Sequence, residues 1–72
     1  LQEEQMLAES ISSFLRTQSA DNRYIFLRRY WHVDTIAEIA ARYGITESKV
    51  KMQLSRTRAR LASYLEKEGI EV

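Results

Sequence analysis

The sequence predicts an all-α domain of four helices that contains a helix-turn-helix. Three observations predict it. Its 72 residues include no proline and only two glycines, Gly44 and Gly69, so little interrupts a helix. Apolar residues recur at helical spacing, about 3.6 residues apart, rather than alternating. Hydroxyl side chains able to cap a helix start stand just ahead of three of the four apolar runs. A chain this short makes one domain with a small core.

In the first helix Met6, Leu7, Ile11, Phe14 and Leu15 share a face, while Glu3, Glu4, Glu9 and Ser12 fill the other. The stretch "RTQSADN" breaks that pattern, and Ser19 within it is placed to cap the next helix. The second helix, residues 20–31, carries Tyr24, Ile25, Phe26, Leu27, Tyr30 and Trp31. Apolar groups on nearly every side predict it to be the most buried helix, with Arg23, Arg28 and Arg29 as its solvated or partner-facing exceptions. "HVD" (32–34) then makes a turn.

"TIAE" fits a capping box, in which the Thr35 hydroxyl and the Glu38 carboxylate each take a free backbone N–H. The third helix, residues 36–43, ends at Gly44, which can take the left-handed conformation of a C-terminal cap. Thr46 caps the fourth helix, Glu47 favours its first turn, and Gly69 stops it near residue 68. A short helix, a glycine turn and a second helix form a helix-turn-helix. Ile39 and Val50 are expected to bury between the two helices, and small Ala40 to let them cross closely.

Net charge is +1, which taken whole excludes no partner. Its distribution says more. Residues 48–63 carry Lys49, Lys51, Arg56, Arg58 and Arg60 with no acid, while the rest of the chain holds six basic and ten acidic residues. Advancing about 100° per residue, Val50, Leu54, Leu61 and Leu65 fall within about 60° of one another and face the core. Ser48, Met52, Ser55, Arg56 and Ala59 point the opposite way. Lys51 and Arg58 flank one side of that strip, Lys49 and Arg60 the other. Short side chains let a helix backbone approach base edges in a major groove, where Arg56 could bind a guanine through two hydrogen bonds. The flanking cations would reach phosphates, giving affinity and register.

"TIAEIAARYGITESKVKMQLSRTRARL" resembles the C-terminal DNA-binding region, region 4, of sigma-70 family RNA polymerase sigma factors, particularly the extracytoplasmic-function type. Glu38, Ile39, Ala40, Gly44, Val50, Lys51, Leu54, Arg56, Arg58 and Leu61 carry the likeness. Arg23 with "IFLRRY" and "LEKEGI" extend it over about residues 6–70. The resemblance implies recognition of the −35 promoter element, docking on the β-subunit flap of RNA polymerase, and masking by an anti-sigma factor. By position, it implies base contacts from Ser48, Lys51, Met52, Ser55 and Arg56. It implies phosphate contacts from Thr35, Arg42, Lys49, Arg58 and Arg60. It also makes residues 1–72 one domain cut from the C-terminal part of a longer, cytoplasmic bacterial protein, and the start at Leu1 rather than Met fits a piece. The family's other conserved region, which binds the polymerase and melts the −10 element, is not in these residues, so this piece alone is not expected to start transcription. Three positions depart from the family pattern: Val33 stands where a turn glycine is common, Arg28 where a leucine is common, and Met52 where many relatives are basic or polar.

A LuxR-type regulator domain, also four helices, fits "SKV" and the following Arg residues less well. The alternative from another class is a protein-interaction module whose basic helix is merely solvated. The absence of cysteine excludes disulfides and thiolate metal sites, and no apolar run approaches the roughly 18 residues of a membrane span. No cofactor, metal, small-molecule substrate or catalytic residue is expected. His32 is the lone histidine, Asp34 beside it is better placed to cap a helix than to form a dyad, and the aromatic residues of the second helix fit core packing. Tyr43 and Tyr64 are expected to edge the core.

Overall fold

Hydroxyl caps and glycine stops cut the chain into four segments, and a computed structural model, describing residues 2–70, shows each as a helix. They are α1 Gln2–Arg16, α2 Ala20–Tyr30, α3 Ile36–Tyr43 and α4 Glu47–Lys67. Leu1, Glu71 and Val72, which the sequence reading assigns to the same domain, lie outside the described residues. Ser19 Oγ accepts from the Asn22 N–H at 3.2 Å. The box at α3 is complete: Glu38 N–H donates to Thr35 Oγ1 at 3.1 Å, and Thr35 N–H donates to Glu38 Oε1 at 2.9 Å. Hydrogen bonding to the Glu38 carboxyl, first from the Thr35 backbone N–H and then from the Thr35 side chain, holds it below its ordinary pKa. Trp31 and Glu68 serve as the C-caps of α2 and α4.

α4 packs against each of the other three helices, and α2 also against α3. Two apolar clusters result, and α4 runs through both. Ile25, Ile39, Ala40, Val50 and Leu54 form one, edged by Ile36, Tyr43 and Ile45. Phe14, Leu15 and Phe26 form the other, edged by Ile11, Leu27, Leu61 and Tyr64. The Phe14 and Tyr64 rings meet at 5.6 Å between centroids.

α2 is the least exposed helix for its length, but it buries fewer of its apolar side chains than their number predicts. Val50, Leu54, Thr57 and Leu65 of α4 are buried, whereas α2 buries only Ile25 and Phe26. Tyr24, Tyr30 and Trp31 are 50, 47 and 79% exposed, so of these aromatic residues only Phe26 belongs to the core. Apolar bulk on every side of a helix needs a neighbour on every side. α1 instead lies along α4, and the space between α1 and α2 stays open as an apolar groove of about 730 Å³. Met6 is likewise exposed rather than part of the buried face of α1.

The α2–α3 turn departs from expectation in two further ways. Asp34 caps no helix: its carboxylate pairs with Arg28 Nε at 2.6 Å, its N–H donates to the Arg28 carbonyl, and its carbonyl accepts from Arg29 Nη1. Arg28 and Arg29 are thus half-buried tethers of the turn rather than solvated residues. Arg23, also half-buried, lies over the Tyr24 ring. Val33 adopts φ +59°, a left-handed conformation that a β-branched residue rarely takes. The three bonds at Asp34 hold the chain in it.

Candidate nucleic-acid interface

The site begins with how α3 and α4 are joined. Ile39 and Val50 are fully buried against each other's helix, and Ala40 is 8% exposed. Gly44 takes φ +64°, ψ +36°, so its N–H and that of Ile45 both donate to the Ala40 carbonyl. A Cβ at Gly44 would meet nothing within 4 Å. Glycine is therefore required there for its backbone angle, not for space. Thr46 Oγ1 then accepts from the Lys49 N–H at 3.1 Å, starting α4 with Glu47 in its first turn.

α4 has two unlike faces. Val50, Leu54, Thr57 and Leu65 are buried and Leu61 half-buried. Opposite them Ser48, Met52, Ser55, Arg56 and Ala59 are all exposed, as are Lys49, Lys51, Arg58 and Arg60 on the edges. Thr57 is the inward residue that the apolar pattern missed: it lies within about 20° of Val50 in direction, but its hydroxyl makes it read as polar.

The basic residues divide by what they touch. The side chains of Arg42, Lys49, Lys51 and Arg56 make no hydrogen bond or ion pair with any other described residue. Arg58 donates to the Tyr30 hydroxyl on α2, and Arg60 Nη1 reaches Gln18 Oε1 at 3.5 Å. Thr35 and Arg42, at opposite ends of α3, are exposed. The serines of the outward strip place hydroxyls among these cations. The arrangement can donate hydrogen bonds to anionic and carbonyl oxygens from one solvent-facing side, with no acid between Ser48 and Ser63.

Sequence reasoning gave no signal for the α1–α2 groove, walled by Ala8, Ile11 and Leu15 on one side and Leu27, Tyr30 and Trp31 on the other. His32 lies exposed at its end. Among the described residues no group of three or more His, Cys, Asp or Glu is placed to hold a metal ion, and no helix is long and apolar enough to cross a membrane.

A helix-turn-helix whose second helix shows small exposed side chains between cations is built like a DNA-binding domain. The chain belongs to the sigma-70 region 4 family, whose model matches residues 10–61, from the middle of α1 through α2 and α3 to Leu61 of α4. No curated protein and no solved structure matches the chain. The family is a DNA-binding rather than an enzymatic one. It assigns the domain to promoter DNA binding in transcription as part of a sigma factor, with RNA polymerase as its protein partner.

Proposed function

We propose that this domain reads the −35 element of bacterial promoters, with α4 in the major groove, for a sigma factor of the extracytoplasmic-function type acting in the cytoplasm. One observation carries the reading: on α4 the exposed Ser48, Met52, Ser55 and Arg56 stand opposite the buried Val50, Leu54 and Thr57. Base edges fall to Ser48, Lys51, Met52, Ser55 and Arg56, with Arg56 donating twice to a guanine. Phosphates fall to Thr35, Arg42, Lys49, Arg58 and Arg60. Met52 is 44% exposed and offers an apolar contact, which suits a thymine methyl better than a hydrogen-bonding edge.

The apolar α1–α2 groove supports the second half of the function, docking on the β-subunit flap of RNA polymerase. A helix laid in a groove is a recurrent recognition mode, and exposed Trp31 at the groove's wall is the residue type that anchors such contacts. An anti-sigma factor covering the same groove or α4 would mask the domain.

The test is binding to duplex DNA at several salt concentrations, followed by selection of bound sequences from a random duplex library. Four cationic phosphate contacts predict a log–log salt slope of about −4, at roughly −0.9 for each phosphate neutralised. Enrichment of one short motif is expected; a flat salt dependence with no enrichment overturns the reading.

A further inference from the structure

Tyr30 is the last residue of α2, and two contacts fix it. Its ring packs on Phe26 at 4.8 Å between centroids, and Phe26 is itself buried in the second apolar cluster. Its hydroxyl accepts a hydrogen bond from the Arg58 guanidinium, 28 residues along the chain on α4. The ring also divides two surfaces. On one side it walls the α1–α2 groove with Leu27 and Trp31; on the other it lines a small cleft with Arg58, Leu61 and Ala62.

The chemistry of the acceptor matters. Arg28 is held by a carboxylate, which cancels its charge. Arg58 is held by a neutral phenol oxygen, which orients the guanidinium and leaves its charge intact. A guanidinium has five N–H donors, so one bond to Tyr30 leaves others for a phosphate. A free arginine loses rotamer freedom when it is fixed, and a side chain already tethered loses less on binding.

We propose that Tyr30 is a positioning residue for DNA binding: its hydroxyl holds Arg58 at the edge of α4, charged and ready for a backbone phosphate. The inference rests on the reading of Arg58 as a phosphate contact. The two can fail separately.

The experiment compares wild type, Tyr30→Phe, Arg58→Ala and the double variant for binding to a random-sequence duplex at low salt, since a phosphate contact carries no sequence requirement. Melting temperatures are taken alongside. Tyr30→Phe keeps the ring on Phe26 and should melt like wild type, yet bind the duplex about 2- to 10-fold more weakly, the range of one hydrogen bond. In the Arg58→Ala background the same substitution should change nothing. Weaker binding by Arg58→Ala with wild-type binding by Tyr30→Phe overturns the positioning role alone. Equal losses from Tyr30→Phe in both backgrounds also overturn it. Wild-type binding by Arg58→Ala overturns the phosphate contact and the positioning role together.

Discussion

The two halves of this domain use their apolar residues in opposite ways. Around α3 and the first half of α4, Ile25, Ile39, Ala40, Val50 and Leu54 close on one another, and the solvent side is left to small, polar and cationic groups. Between α1 and α2 the packing stops short. Leu27, Tyr30 and Trp31 wall an open groove, and Trp31 is 79% exposed. A closed core with a polar exterior holds a rigid helix against a charged polymer. An open apolar trough suits another protein. Apolar density along the chain therefore separates these halves poorly; the packing of α1 along α4 separates them well.

The largest expected effect lies in the closed half. Leu54→Ala empties a site that is 2% exposed and should cost about 2–5 kcal/mol. A domain of this size has a total stability of about 4–11 kcal/mol, so much or all of the fold would be lost. Chemical denaturation measures it. A change below about 1 kcal/mol would mean that this half is as loosely packed as the other.

The turn joining the halves gives a smaller effect of opposite sign. Val33 at φ +59° carries a cost of about 1–2 kcal/mol, and glycine would return about 0.5–1 kcal/mol of that as greater freedom of the unfolded chain. Val33→Gly should thus stabilise by about 0.5–1 kcal/mol and raise Tm by a few degrees. Since Val33 is 77% exposed, no packing is lost. A fall in Tm would show that the valine side chain supports the turn.

The smallest effect concerns the entry to α3. Two bonds from Thr35 lower the Glu38 pKa below its ordinary 4.5 in the folded domain. A lowered folded value means that the contribution is fully present above 4.5 and is lost as pH falls below it. The Tm difference between wild type and Glu38→Ala should be constant near neutrality and shrink in acid. A difference that persists unchanged at low pH would mean that the carboxylate form is not what caps the helix.

Most of the closed half was legible in the sequence. Capping needs particular side chains at fixed short spacings, so Ser19, Thr35, Glu38, Gly44 and Thr46 could be placed by local rules alone. The buried stripe of α4 followed from periodicity, except at Thr57, where a hydroxyl hid an inward position. What local rules could not supply was contact between segments. The aromatic residues of α2 look buried until α1 is known to lie elsewhere. The Arg28–Asp34 pair crosses a turn, the Arg58–Tyr30 bond crosses 28 residues, and neither has a spacing signature. Val33 marked itself only by standing where a glycine is common in the family it resembles.

In the proposed function the outward face of α4 serves DNA while the α1–α2 groove serves RNA polymerase. Arg56→Ala and Trp31→Ala, each titrated against the selected duplex and against bacterial core RNA polymerase, test it most directly. Both side chains are exposed, so stability should change by no more than about 0.5 kcal/mol. Arg56→Ala should weaken the selected duplex by about 1–3 kcal/mol and leave polymerase binding alone. Trp31→Ala should weaken polymerase binding by about 2 kcal/mol or more and leave the duplex alone. If each variant weakens both partners equally, the two faces are not separate in function.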